Sequence, residues 1–158
     1  MNIKKIAITI IVVVALGLGF LLCKQIFFDE YKPADDEIVL HVQMDTKEDI
    51  GLLVFDYYAD DVEFSGGISN ADKTLIKNSD DIVIVLNKQE LKSTYNNVEL
   101  ELYFRIITEY VEPNYENIYP ENITQYIDTP VSWKASFGEE YFITITGDKA
   151  NGYKAVLN

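Results

Sequence analysis

The chain has 158 residues, 26 of them acidic and 13 basic, for a formal charge of −13. That balance repels phosphate backbones and anionic headgroups, which excludes nucleic-acid binding and favours cations or basic partners. One cysteine, Cys23, and one histidine, His41, exclude a disulfide framework, a thiol nucleophile beyond the N-terminal segment and a Cys/His zinc centre.

Ile6 to Cys23 is a run of eighteen uncharged residues preceded by Lys4 and Lys5. At about 1.5 Å rise per residue it spans about 27 Å as a helix, close to the ~30 Å hydrocarbon core of a bilayer. Ile26, Phe27 and Phe28 extend the apolar reach, and the lysines before the span keep the N-terminus in the cytoplasm. Residues 1–28 are therefore read as a signal-anchor, one transmembrane helix that meets the membrane through residues 6–28. Cleavage as a signal peptide, at Ala15-Leu16-Gly17 or Gly17-Leu18-Gly19, is the alternative and gives a secreted product. Phe20-Leu21-Leu22 continues the apolar run past those small residues and weighs against it. A lipidated Cys23 is the third reading, disfavoured because Leu22 stands where a small residue is usual. Ala15 and Gly19 form a small-xxx-small pair, read as two small residues rather than as a helix-pairing seam.

All 26 acidic residues follow this segment with only ten basic ones, so the remainder carries −16. Residues 29–36 read as a juxtamembrane linker and 37–158 as one extracytoplasmic domain, large enough for a core without metal or disulfide staples. An exported domain without cysteine argues against an animal secretory protein. Richness in Ile, Asn, Lys and Tyr points to a bacterial cell surface. Asn122-Ile123-Thr124 matches a glycosylation acceptor that such a setting leaves unmodified. The C-terminal residues read as a strand rather than a sorting tail, which leaves the N-terminal segment as the expected attachment device.

From Glu37 the hydrophobicity alternates with period two. Ile38, Leu40, Val42 and Met44 form one face of a first strand, with Glu37, Val39, His41 and Gln43 on the other. Gly51 to Tyr58 is apolar on both faces, as a central strand requires. Val62 to Phe64 is a short candidate stopped by Ser65-Gly66-Gly67. Ile82 to Leu86 is a continuous apolar run, predicted to be fully buried, and Lys88 to Thr94 is predicted to form a helical turn or two. Val98, Leu100, Leu102, Phe104 and Ile106 alternate with Glu99, Glu101, Tyr103 and Arg105, the pattern of a half-exposed antiparallel strand. Val131, Trp133, Ala135 and Phe137 make another inward face. Tyr141–Thr146 and Tyr153–Leu157 flank turn residues 147–152 as a hairpin. These elements predict an all-β fold, an antiparallel β-sandwich of immunoglobulin-like arrangement without the inter-sheet disulfide, or else a partly open barrel. Trp133 is a candidate core tryptophan, late in the chain for the strand that usually carries it.

Few residues offer chemistry. His41 has no local partner, its strand face holds Glu37 and Gln43, and it reads as solvent-facing. No Gly-x-Ser-x-Gly elbow accompanies it, so the domain is predicted to be non-enzymatic. A carboxylate pair for glycoside hydrolysis has no support beyond abundance. No cofactor is expected, calcium aside. Calcium needs oxygen ligands, and Asp60, Asp61 and Glu63 near one strand end, with Asp80 and Asp81 at another, supply them if those loops meet. They do not follow the spacing of an EF-hand loop. The stretch from Glu109 to Pro130 is far longer than the ~4 to 6 residues of an ordinary connection. It carries Tyr110, Tyr115, Tyr119 and Tyr126 among Asn and Gln, with no basic residue between Arg105 and Lys134. Rigid rings beside hydrogen-bonding groups suit contact with a protein or glycan partner. The competing reading is a lid packed over one end of the sandwich. The expected function is thus a membrane-anchored interaction module, with a calcium-binding surface domain as the alternative.

Overall fold

The computed structural model describes residues 31–60 and 62–158; the predicted anchor, its cleavage and lipidation alternatives, and Asp61 lie outside them. Among the described residues the alternating segments form nine strands: β1 (Glu37–Thr46), β2 (Leu52–Ala59), β3 (Val62–Ile68), β4 (Asp81–Asn87), β5 (Asn97–Ile107), β6 (Thr124–Tyr126), β7 (Val131–Ser136), β8 (Glu140–Asp148) and β9 (Gly152–Leu157). Helical structure there amounts to one 3-10 turn, Glu121–Ile123. No helix among these residues is long and apolar enough to cross a membrane.

The strands make two sheets. The first has the order β4-β1-β8-β9, and the second runs β3-β2-β5, with β6 and β7 sharing the free side of β5. β6 pairs with Arg105–Ile107 and β7 with Asn97–Leu102, so one edge of the second sheet is split between two short strands. All pairings are antiparallel except β1 with β8. The inward faces share one apolar core, built from Ile38, Leu40 and Val42 of β1, Ile143 and Ile145 of β8, Leu53 and Phe55 of β2, and Leu100, Leu102 and Phe104 of β5. The result is a β-sandwich-like all-β fold.

Period two holds best in β5, whose Val98, Leu100, Leu102, Phe104 and Ile106 are all buried. Four expectations need correction. β3 does not stop at Phe64 but runs through Ser65, Gly66 and Gly67 to Ile68. Gly66 is required there, because a Cβ at that position would lie 2.5 Å from the Phe55 ring carbon Cζ. β4 is not buried on both faces. It is an edge strand, and its outward-facing Val83 and Val85 are 44% and 39% exposed. Lys88 to Thr94 forms turns without a helix, pinned by buried Leu91. His41 is not solvent-facing: it is 8% exposed, stacked on Phe142 with ring centroids 4.7 Å apart. Trp133 is half-buried against the core, tilted over Tyr141 of the opposite sheet at 5.4 Å.

Candidate functional site

β2 is apolar on both faces because both faces are covered. Its inward residues enter the main core, while Leu52 and Val54 face outward and join Ile107 and Ile123 in a second cluster, with Val111 and Tyr119 packed on it. The covering material is the Tyr-rich connection. It lies over the outer face of the second sheet rather than over an end of the sandwich. Gly51 makes the approach possible, since a Cβ there would sit 1.9 Å from the Glu109 carbonyl oxygen. Two backbone bonds close this edge: Gly51 N–H to the Ile107 carbonyl at 2.8 Å, and Thr108 N–H to the Ile123 carbonyl at 2.9 Å.

A polar network fixes the middle of the connection. Arg105 Nη1 donates to the Asn117 carbonyl at 3.0 Å, and Arg105 Nη2 donates to Asp56 Oδ2 at 2.9 Å. Buried Asn117 adopts a positive φ of 50° and donates from Nδ2 to Ser65 Oγ at 2.8 Å, while Ser65 donates in turn to Asp56 Oδ1 at 2.5 Å. Asn and Asp tolerate the left-handed region better than branched residues do, which explains the residue type here. The Asn114 side chain closes a turn against Ile118, accepting its N–H at 3.3 Å and donating to its carbonyl at 3.1 Å. Tyr119 OH accepts from Asn114 N–H at 3.2 Å and lies 3.4 Å from Asn117 Oδ1.

The four tyrosines fall into different places. Tyr119 is half-buried and structural. Tyr110 is half-buried too, and burial, then the Glu112 carboxylate, raises its phenol above the ordinary value. Tyr115 is wholly exposed, and Ile118 beside it is 71% exposed. Tyr126 is 63% exposed on β6, next to Arg105 in register. The connection thus combines a packed base with a projecting apolar tip.

Asp60, Glu63, Asp80 and Asp81, the described acidic candidates, do not gather at one place. Asp60 follows the last residue of β2, where its N–H donates to the Glu99 carbonyl at 3.0 Å and its Oδ1 accepts from Glu99 N–H at 3.2 Å. Asp80 lies by the far end of β1, its carbonyl accepting from Met44 N–H at 2.8 Å and its carboxylate from Lys77 N–H at 2.8 Å. β1 ends where β2 begins, so Asp60 and Asp80 sit at opposite ends of the strands. Asp81 Oδ2 lies 2.9 Å from His41 Nδ1, and Glu140 Oε2 is 3.9 Å from His41 Nε2. Glu63 stands exposed on β3 opposite Tyr58. Among the described residues no three His, Cys, Asp or Glu side chains gather as a cation cage.

Residues that sequence reasoning passed over complete this face. Past the roofed rows, Tyr58 and Tyr103 stand edge to face, with centroids 6.0 Å apart and an interplanar angle of 80°. The alternation of β5 already turned Tyr103 outward with Glu101 and Arg105. Only strand register placed Tyr58 beside them. No family model matches the chain, and no curated protein matches it.

Proposed function

We propose that the chain is a membrane-tethered contact protein whose extracytoplasmic β-sandwich meets a protein or glycan partner through its Tyr-rich connection, without catalysis. The observation that carries this reading is the pairing of rigidity with exposure. Arg105, Asn117 and Tyr119 hold the connection against the sheet, while Tyr115 and Ile118 project from it. An apolar tip on a preordered loop loses little conformational entropy when a partner covers it, which is the economy of aromatic-rich binding loops. Exposed at 108% and 71%, Tyr115 and Ile118 serve no packing purpose in the isolated domain. His41, the only imidazole, is committed to packing and to Asp81, and this supports a non-enzymatic role.

The finer reading of the fold is immunoglobulin-like. Two sheets sharing one core, with every pairing but one antiparallel, support it. The tether reading rests on the uncharged run Ile6–Cys23 behind Lys4 and Lys5. Membrane fractions that retain the full-size chain after alkaline carbonate washing support the tether, and a shortened, soluble product overturns it.

Capture from native envelope with the full chain tests the contact itself. The double variant Tyr115→Ala, Ile118→Ser is expected to lose the partner while melting at the wild-type temperature. Equal capture by both proteins overturns the reading.

A further inference from the structure

The row crossing the open half of the second sheet's outer face reads acid, aromatic, acid. Register opposes Tyr58 to Glu63 on β3 and to Glu101 on β5. With ~4.8 Å between neighbouring strands, the two glutamates straddle the tyrosine at a backbone separation of roughly 10 Å. Tyr103 adds its ring edge-on to Tyr58 and donates to Glu101 Oε1 at 3.0 Å. Asp56, Tyr58, Glu63, Tyr103, Arg105 and Tyr126 line a groove of about 330 Å³, and Glu101 borders the adjoining hollow.

The face already holds one guanidinium. Arg105 lies among these tyrosines with Asp56 as its carboxylate partner, so Asp56 is neutralised within the domain. The next row offers the same chemistry without a resident cation. Neither Glu63 nor Glu101 pairs with a lysine, arginine or histidine among the described residues. The negative potential is felt at the Tyr58 phenol, which the Glu63 carboxylate, then burial, and behind them Asp56 and Glu101 hold above its ordinary value.

We infer that this groove receives an arginine side chain from a basic segment of a partner protein, the guanidinium lying against Tyr58 between Glu63 and Glu101. Arginine fits better than lysine because its planar, weakly hydrated head stacks on an aromatic ring and forks toward carboxylates. A second copy of this chain is a poor occupant, since the residues beyond the N-terminal segment carry −16. A neutral glycan donates its hydroxyls to the two carboxylates but brings no positive charge to neutralise them. The inference rests on the contact reading above and names the chemistry of the partner.

The test is a titration of the detergent-solubilised full chain with acetyl-Gly-Arg-Gly-Arg-Gly-Arg-Gly-amide, beside the same peptide with citrulline for arginine. The arginine peptide is expected to bind and the uncharged one not to. Loss of both groove carboxylates in Glu63→Gln, Glu101→Gln is expected to weaken binding about tenfold or more, since charge-assisted pairs are the strong ones. The control Glu90→Gln, Glu139→Gln removes the same charge elsewhere and is expected to bind like the wild type. No binding, equal binding of the citrulline peptide, or equal loss in the two double variants overturns the inference. The two proposals fail separately. Peptide binding that survives while Tyr115→Ala, Ile118→Ser captures the native partner normally sinks the connection reading alone, and the reverse pattern sinks the groove alone.

Discussion

Arg105 joins two structures that the chain order keeps apart: its Nη2 donates to Asp56 Oδ2 on β2 at 2.9 Å, and its Nη1 donates to the carbonyl of Asn117 in the long connection at 3.0 Å. Both partners are partly buried, so removing one strands the other. Arg105→Met is expected to destabilise the domain by about 1–3 kcal/mol, and Asp56→Ala by a similar amount. The double variant is expected to cost less than the two together, with a coupling of about 1 kcal/mol or more in denaturant titrations. Simple additivity would show that the pair does not hold the connection down.

Ile123 seals the second apolar cluster from the connection's side, at 5% exposure. Ile123→Ala is expected to lower stability by about 2–4 kcal/mol, as for other buried aliphatic truncations. Amide exchange should rise first in residues 108–123, because the lid is a smaller cooperative unit than the main core. Exchange that rises evenly across both sheets would contradict a separable lid.

Gly66 sits under the Phe55 ring in the middle of β3. Ala gains in backbone entropy over Gly within a strand, so propensity alone predicts a stabilising change. The ring contact reverses that sign. Gly66→Ala is expected to cost about 1–3 kcal/mol through overpacking, and Gly66→Ala combined with Phe55→Leu should recover part of it. A neutral single variant would place the ring elsewhere.

Asp148 ties the β8–β9 turn to the connection after β1. Its carboxylate pairs with Lys47 and accepts from the Asn151 side chain at 2.8 Å and from the backbone N–H groups of Asn151 and Ala150 at 2.8 and 3.0 Å. Lys47 first, then Asn151, hold the carboxyl well below the usual carboxylate range. A depressed folded value means that this contribution is present above the ordinary value of 3.8 and disappears as pH falls below it. Asp148→Asn is therefore expected to melt lower than the wild type at neutral pH, with the gap closing below pH 3.8. A gap independent of pH would mean that the ionised form gains nothing from these partners.

Tyr115 makes no hydrogen bond with the rest of the domain among those described and is wholly exposed. Tyr115→Ala is expected to change stability by no more than about 0.5 kcal/mol, as for surface positions generally. Tyr119→Phe, by contrast, loses the hydroxyl that caps Asn114 and should cost about 1 kcal/mol. Chemical denaturation of the two variants side by side separates the projecting ring from the packed one.

The fold class was legible because a half-buried strand must alternate. Val98 to Ile106 and the turn residues 147–152 announce β5 and the β8–β9 hairpin without any tertiary knowledge, since side-chain period and turn chemistry are local properties. The apolar second face of Gly51–Tyr58 was equally visible, though its cause was not. A neighbouring strand cannot cover that face, and the long connection does. Strand register decided the rest. It set Asp81 beside His41, turning an apparent surface histidine into a packed one, and it sent Asp60 and Asp80 to opposite ends. It also aligned Glu63, Tyr58 and Glu101 in one row, from residues up to 43 positions apart. By itself the sequence determined most of the strand segments (β6 excepted), the inward faces of β1 and β5, and how acidic the chain is, because each depends on near neighbours. Which outward residues meet depends on pairings between distant segments, and only the tertiary structure decided that.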